Sequence, residues 1–345
     1  MDWRRQIDLP VNEHNPIVTL VIPARDAEAT IKECLDAVLL IRDAPGSPLA
    51  RIIVVDDGST DGTVAEAKQR GVEVLESGGK GAGAARNVGL AATTTPLIWF
   101  VDSDCVASPD ALDLLLPHLD DSMVAGVGGS YGIAPGASLL ERLIHEEIMV
   151  RHERMPTNTD FLATFNVVYR TEVIRDLGGF DVRYLKGQDA ELAFRVMESG
   201  HRLRFDRRSI VRHHHADRLG RYLRVQRQQG YWRVALHLEH RGHGTGDSYS
   251  NLMDHLQPVL AATLPASLLL LFLPWGWIGP SLILLLLLIM QIPMAGRMVA
   301  RQGTAMLVFA PLGAIRAVWR ATGMVLGVID RMLGRGAMGE RSSTA

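Results

Sequence analysis

The chain has 345 residues, enough for one large domain or two ordinary ones. Its 36 basic and 38 acidic side chains leave a net charge of −2, so no global basic field points to nucleic acid as a partner. Hydrophobic residues make up 47%, unevenly: residues 1 to about 250 have the mixture of a water-soluble α/β domain, whereas runs such as Leu282-Ile283-Leu284-Leu285-Leu286-Leu287-Leu288-Ile289 dominate from Leu256 onward. Cys34 and Cys105 are far apart with no metal-type spacing, which fits a reducing compartment. Met1-Asp2-Trp3-Arg4-Arg5 leads to polar residues and Pro10 with no apolar h-region, so residues 1–15 read as an extension and the soluble part is expected in the cytosol.

In chain order, Val18 to Ile22 is a β-branched run expected to end at Pro23, and Ala29 to Leu40 carries apolar residues at helical spacing. Arg51 to Val55 repeats the strand pattern and runs into Asp56-Asp57-Gly58-Ser59-Thr60-Asp61-Gly62, a turn with three carboxylates. A helix over Thr63–Arg70, a strand over Val72–Leu75 and a helix over Gly83–Ala92 follow. Pro96 to Val101 is continuously apolar, the pattern of a central strand covered on both faces. This alternation predicts an α/β fold on a parallel sheet with right-handed crossovers.

The strand at Trp99 stops on Asp102-Ser103-Asp104, at the sheet edge where α/β proteins bind ligands. Adjacent carboxylates repel, so a cation or hydrogen-bond donors must hold them, and hard oxygen ligands suit Mn²⁺ or Mg²⁺. The simpler alternative is a solvated turn closing a buried strand. A second acidic turn at the same edge, Asp56 to Asp61, favours a site. Between the two, Ser77-Gly78-Gly79-Lys80-Gly81-Ala82-Gly83-Ala84-Ala85-Arg86-Asn87 offers small residues, two cations and a helix start, which suits a phosphate as well as a surface loop. It lacks the ending of a P-loop.

In order and spacing, Val21-Ile22-Pro23-Ala24, Val54-Val55-Asp56-Asp57-Gly58-Ser59-Thr60-Asp61, Gly83-Ala84-Ala85-Arg86-Asn87-Val88-Gly89 and Val101-Asp102-Ser103-Asp104 resemble the blocks of family 2 glycosyltransferases with the GT-A fold. The likeness continues through Phe165-Asn166, Gly178-Gly179-Phe180-Asp181 and Gln188-Asp189-Ala190-Glu191, and covers roughly residues 16–235. It implies a GT-A domain over residues 16–240 that moves a sugar from a nucleotide-diphosphate donor, UDP- or GDP-type, to an acceptor hydroxyl with inversion. On this resemblance Pro23, Ala24, Asp57, Arg86, Asp102, Ser103 and Asp104 would bind the nucleotide sugar, with Asp57 on the base and Arg86 lining the pocket. Asp102 would face the ribose or the metal, and Asp104 would be the principal ligand of Mn²⁺ or Mg²⁺.

A departing nucleoside diphosphate develops negative charge, and the acceptor hydroxyl must lose a proton to a carboxylate on the other side of the sugar. The resemblance assigns that role to Asp189, at the start of a segment of helical periodicity. Gln188 stands where the family commonly has an acidic residue. Asn166, Asp181, Gln188 and Glu191 are the candidates for the sugar or acceptor pocket, Glu191 with a structural alternative. Arg25-Asp26 departs from the family's usual aromatic-Asn on the nucleotide side. His213-His214-His215 closes a strand at Ser209 to Val211, so at most His213 and His215 share a direction. The resemblance makes His213, or else His215, the candidate third metal ligand or a phosphate contact, with a solvated basic corner as the alternative.

Arg218, Arg221, Arg224, Arg227 and Arg233 recur along a helix that precedes the apolar region, as expected of a helix against an anionic membrane surface or of a solvated face. After a linker at 241–255, Leu256–Trp275 and Trp277–Gly296 are each long enough to cross a bilayer, a hairpin over 256–296 with both flanks cytosolic by their arginines. Residues 297–333 read as an amphipathic interfacial helix with a third span as the alternative, and 334–345 as a disordered tail. The expectation is a multi-pass cell-membrane enzyme with a cytoplasmic catalytic domain and a lipid-linked or membrane-proximal glycan acceptor. The alternatives are a nucleotidyltransferase, for which the Gly-rich loop after the first strand is missing, and a non-catalytic membrane scaffold.

Overall fold

The computed structural model describes residues 16–240 and 247–334. The expected extension at 1–15, residues 241–246 of the expected linker and the tail beyond 334 lie outside the described residues.

Strand β1 (Val18–Ala24) is followed by α1 (Glu28–Arg42), β2 (Leu49–Asp56), α2 (Thr63–Gln69), β3 (Glu73–Glu76), α3 (Ala82–Ala92) and β4 (Leu97–Val101). β1, β2, β3 and β4 run parallel, as the alternation predicts. β1 continues through Pro23, which pairs with Val55, instead of ending there. A proline fits because β4 pairs with β1 only as far as Val21, leaving that side of Pro23 outside the ladder.

Beyond β4 the strict alternation is lost. β5 (Cys105–Ala107), α4 (Ala111–Leu115), β6 (Val124–Ile133), α5 (Leu139–His152), β7 (Asn158–Thr159), β8 (Asn166–Arg170), α6 (Thr171–Asp176), α7 (Gln188–Glu198), β9 (Arg202–His213) and α8 (Leu219–Glu239) complete the domain. β8 inserts antiparallel between β4 and β6, while β6 and β9 are parallel, so the sheet is mixed and mostly parallel. Its order is β3-β2-β1-β4-β8-β6-β9-β5, with β7 on β9. Two apolar layers cover the faces. Trp99 packs with Leu35 and Val38 in one, Phe100 with Phe180 and Leu192 in the other.

Among the described residues, three helices are long and apolar enough to cross a membrane: Leu252–Phe272, Ile278–Gln302 and Thr304–Met332. Trp275-Gly276-Trp277 turns between the first two, with Trp275 at φ 64°. The first two expose Leu269, Phe272, Leu282 and Leu285, among others.

The third helix lies along α8. Gly230, Gly323 and Gly327 sit at that contact, where a Cβ on Gly323 would land on the Arg227 carbonyl. Amphipathicity is as expected, but the charged face is turned into the protein. Arg316 is buried against Glu147, whereas Ile315, Trp319, Val325, Val328 and Ile329 are exposed. On α8, Arg218, Arg221 and Arg224 are exposed and Arg227 and Arg233 half-buried.

Candidate functional site

β1, β2 and β4 end at one sheet edge, and the loops beyond them are tied together. Asp26, at φ 48°, accepts the Thr60 N–H at 2.8 Å and donates its own N–H to Ser59 Oγ at 3.0 Å. Positive φ is uncommon outside glycine, and here the clamp holds it. The Arg25-Asp26 departure thus has a structural use. Arg25 Nη1 lies 3.9 Å from Asp57 Oδ2.

Pro23 and Ala24 are at the buried end of β1, and the Ala24 carbonyl accepts the Asp57 N–H at 2.8 Å. Asp57 is 4% exposed and accepts Ser77 Oγ–H at 2.6 Å and the Gly81 N–H at 2.9 Å. Its carboxylate therefore braces the glycine-rich loop at the entrance to α3. One turn into that helix, Arg86 is buried, and its Nη2 donates to Asp102 Oδ1 at 2.6 Å. Its Nε has no acceptor among the described residues, and its guanidinium carbon stands 5.6 Å from the Phe180 ring centre.

Asp102, Ser103 and Asp104 form a half-buried turn after β4. β5 pairs with the end of β9, which brings His213 Nε2 to 3.3 Å from Asp104 Oδ2. Burial works against the Asp104 carboxylate, but the His213 imidazole beside it outweighs that and holds its pKa below the ordinary value. Cys105 joins them: ligand atoms of Asp104, Cys105 and His213 all lie within 4.8 Å of one another. Burial holds the Cys105 thiol well above its ordinary pKa, so it remains a thiol. An oxygen and an imidazole donor with open positions for water and phosphate oxygens fit Mn²⁺ or Mg²⁺. His215 stands behind His213, with Nδ1 atoms 2.8 Å apart, and its Nε2 is 3.3 Å from His145 Nδ1 on α5. Cys105 and His145 were missed in the sequence because each reaches the site through tertiary pairing alone.

Asp189 sits in the first turn of α7 after Gly187, which adopts the left-handed conformation. Burial pushes its carboxyl above the ordinary pKa, opposed by the Ala190 N–H at 2.9 Å and the charge of Arg86. Asp102 acts on it in the raising direction, which places Asp189 within electrostatic reach of the Arg86–Asp102 pair. Gln188 is buried with Oε1 unpartnered among the described residues, against Gly83 on α3.

The structure does not bring every candidate to this edge. Asn166 is fully buried: its Oδ1 accepts Trp99 Nε1–H at 2.9 Å and its Nδ2 donates to Ser209 Oγ at 3.0 Å. Both ends of its amide are spent on core strands. Glu191 is also buried, gripping Arg195 at 2.6 Å, and Arg195 donates to the carbonyls of Leu177 and Gly179. That is the structural alternative. Asp181 accepts the Arg183 guanidinium at 2.6 Å, a local loop clamp.

Residues 19–178 match the model of glycosyl transferase family 2. The chain is 32% identical over 213 residues to a pre-mycofactocin glycosyltransferase of Mycobacterium tuberculosis, covering 59% of this chain and 43% of that protein. It therefore spans less than half the length of that relative. An uncharacterised glycosyltransferase of Mycobacterium bovis is 30% identical over 192 residues, 54% of this chain and 81% of that protein. Among solved structures, mannosyltransferase PcManGT of Pyrobaculum calidifontis, in complex with GDP-Man and Mn²⁺, superposes with TM-score 0.61 at 18% identity, over 92% of this chain and 88% of that one. At that identity the match speaks for the fold alone, a GT-A-like α/β domain. With the family model and the bovine-strain relative in agreement, the chain belongs to glycosyl transferase family 2.

Proposed function

We propose that this protein is a metal-dependent, inverting glycosyltransferase, anchored in a membrane and moving a sugar from a nucleotide-diphosphate donor to a lipid-linked or membrane-proximal acceptor hydroxyl. The observation that carries this reading is the convergence at one sheet edge of Asp104 with His213 at 3.3 Å and of Arg86 with Asp102 at 2.6 Å. Asp104 and His213 would hold the ion, with Asp102 beside them. Bound there, Mn²⁺ or Mg²⁺ would supply Lewis-acid stabilisation of the charge on the leaving diphosphate.

Arg86 brings a fixed, buried cation with an unused N–H to the same place, suited to a phosphate oxygen. Asp57 holds the Gly81 end of the loop so that its small residues allow close backbone approach to the donor. Asp189 takes the proton of the acceptor hydroxyl as that oxygen attacks the anomeric carbon and the bond to the diphosphate breaks. Its raised pKa strengthens it as a base. The exposed apolar rows of the first two apolar helices suit lipid, and the arginines flanking them favour a cytosolic catalytic domain.

Thermal unfolding of detergent-purified protein with a panel of nucleoside diphosphates and nucleotide sugars, in Mn²⁺ and in chelator, tests this. One nucleotide class stabilising only with the metal is the expected result. No stabilisation of folded protein by any of them would favour a scaffold that kept the fold.

A further inference from the structure

The anchor meets the catalytic domain at a cluster of buried charge. On α5, Glu147 accepts Arg151 at 2.6 Å and also Arg316 from the third apolar helix. Arg151 donates to both oxygens of Asp254, each at 2.7 Å, in the first turn of the first apolar helix. Arg320 comes within 3.9 Å of the same carboxylate. Among the described residues, three guanidiniums thus face two carboxylates, an excess of one positive charge. A buried charge without a counterion is strongly unfavourable, and an unmade hydrogen bond adds to the penalty. Arg316 is 2% exposed and paired with Glu147 through Nη1, and its Nε has no acceptor among the described residues.

Next to it is a cavity of about 60 Å³ whose lining includes Arg151, Arg154 and Arg316, the Asp254 carboxylate that Arg151 already neutralises, Gln257 and Gln291, together with the apolar Met253 and Met290. Gln257 and Gln291 are 6% and 1% exposed, on the first and second apolar helices. Buried polar groups in such helices mark binding or transport sites more often than structural ones. Met253 is 43% exposed, so the apolar part borders the surface assigned to lipid.

We propose that this cavity binds the phosphate of an anionic phospholipid, seated against Arg316 and Arg151, with its acyl chains leaving past the methionines. The phosphate supplies the missing negative charge and an acceptor for the orphan N–H. Free phosphate has the same chemistry, but the apolar lip favours a diester carrying hydrocarbon. The site is two turns along α5 from His145 and separate from the sheet edge that carries Asp104. It rests on the membrane placement proposed above.

The test uses the full chain and vesicles of phosphatidylcholine with or without phosphatidylglycerol. Wild-type protein should float with both, which checks membrane placement alone. Phosphatidylglycerol should then raise the thermal midpoint by on the order of 5 °C, with no matching rise from inorganic phosphate. Gln291→Leu and Arg154→Gln, both at the cavity, should lose that rise, and Arg224→Gln, an exposed arginine of α8, should keep it. Flotation with equal midpoints in the two lipids, or a rise undiminished in the cavity variants, would overturn the lipid site alone. A rise reproduced by inorganic phosphate would replace the lipid with the free anion. Absence of flotation would overturn the membrane placement and the lipid site together.

Discussion

Arg86 Nη2 lies 2.6 Å from Asp102 Oδ1, and this pair joins the glycine-rich loop to the acidic turn after β4. Arg86 also lowers the pKa of Asp189, against the larger raising effect of burial. Arg86→Ala should therefore weaken nucleotide binding by at least about tenfold, as loss of a charge-assisted pair does. It should also move the acid limb of the pH–rate profile to higher pH, because Asp189 loses a cation that favours its ionised form. An unshifted acid limb would disconnect Arg86 from the base.

The wild-type profile follows from the same sign. A base acts in its deprotonated form, so a raised pKa means that transfer is lost earlier on acidification than for an ordinary carboxylate. Activity measured from pH 8 downward should fall through a single ionisation above the ordinary aspartate range, about 3.9.

Behind the proposed metal ligand His213, His215 offers an acceptor for its Nδ1–H when His213 Nε2 is turned toward the ion site beside Asp104. Outer partners of metal ligands are worth about 10–100-fold in metal affinity. Titrating Mn²⁺ into His215→Ala with the nucleotide bound should show a loss of that size with the overall fold intact by circular dichroism.

Asn166 behaves as a core residue. Asn166→Leu leaves the Trp99 indole N–H unpaired and removes a bond to Ser209, at about 1–3 kcal/mol for each orphaned group. Urea unfolding should show this loss, while KM for donor and acceptor stays unchanged in the folded protein.

Docking of the third apolar helix on α8 depends on small residues. Gly323→Val drives a side chain into the Arg227 carbonyl and should lower stability by about 1–3 kcal/mol or more. Thr322→Val, at an exposed neighbour, should be close to neutral in the same thermal melt.

That Asp57, Arg86, Asp102 and Asp104, the proposed donor-side residues, meet at one edge was legible in the sequence, because strand-turn-helix alternation delivers them there without long-range information. The acceptor side was not. Asn166 and Glu191 occupy the expected positions in the chain, but β8 enters the sheet antiparallel beside β4 and turns Asn166 into the core, and the partner of Glu191 four residues on draws it away. Nor does local sequence reveal that Arg316 of the third apolar helix finds Glu147, 169 residues earlier.

The most direct test of the proposed reaction is release of nucleoside diphosphate by purified Asp189→Asn, assayed with the donor found in the panel and a membrane lipid extract as acceptor, beside calorimetric binding of that donor. Binding within about twofold of wild type with release reduced by at least about a thousandfold is the predicted result, the loss expected of a general base in displacement chemistry. Wild-type release by the variant would contradict Asp189 as the base and with it the proposed mechanism.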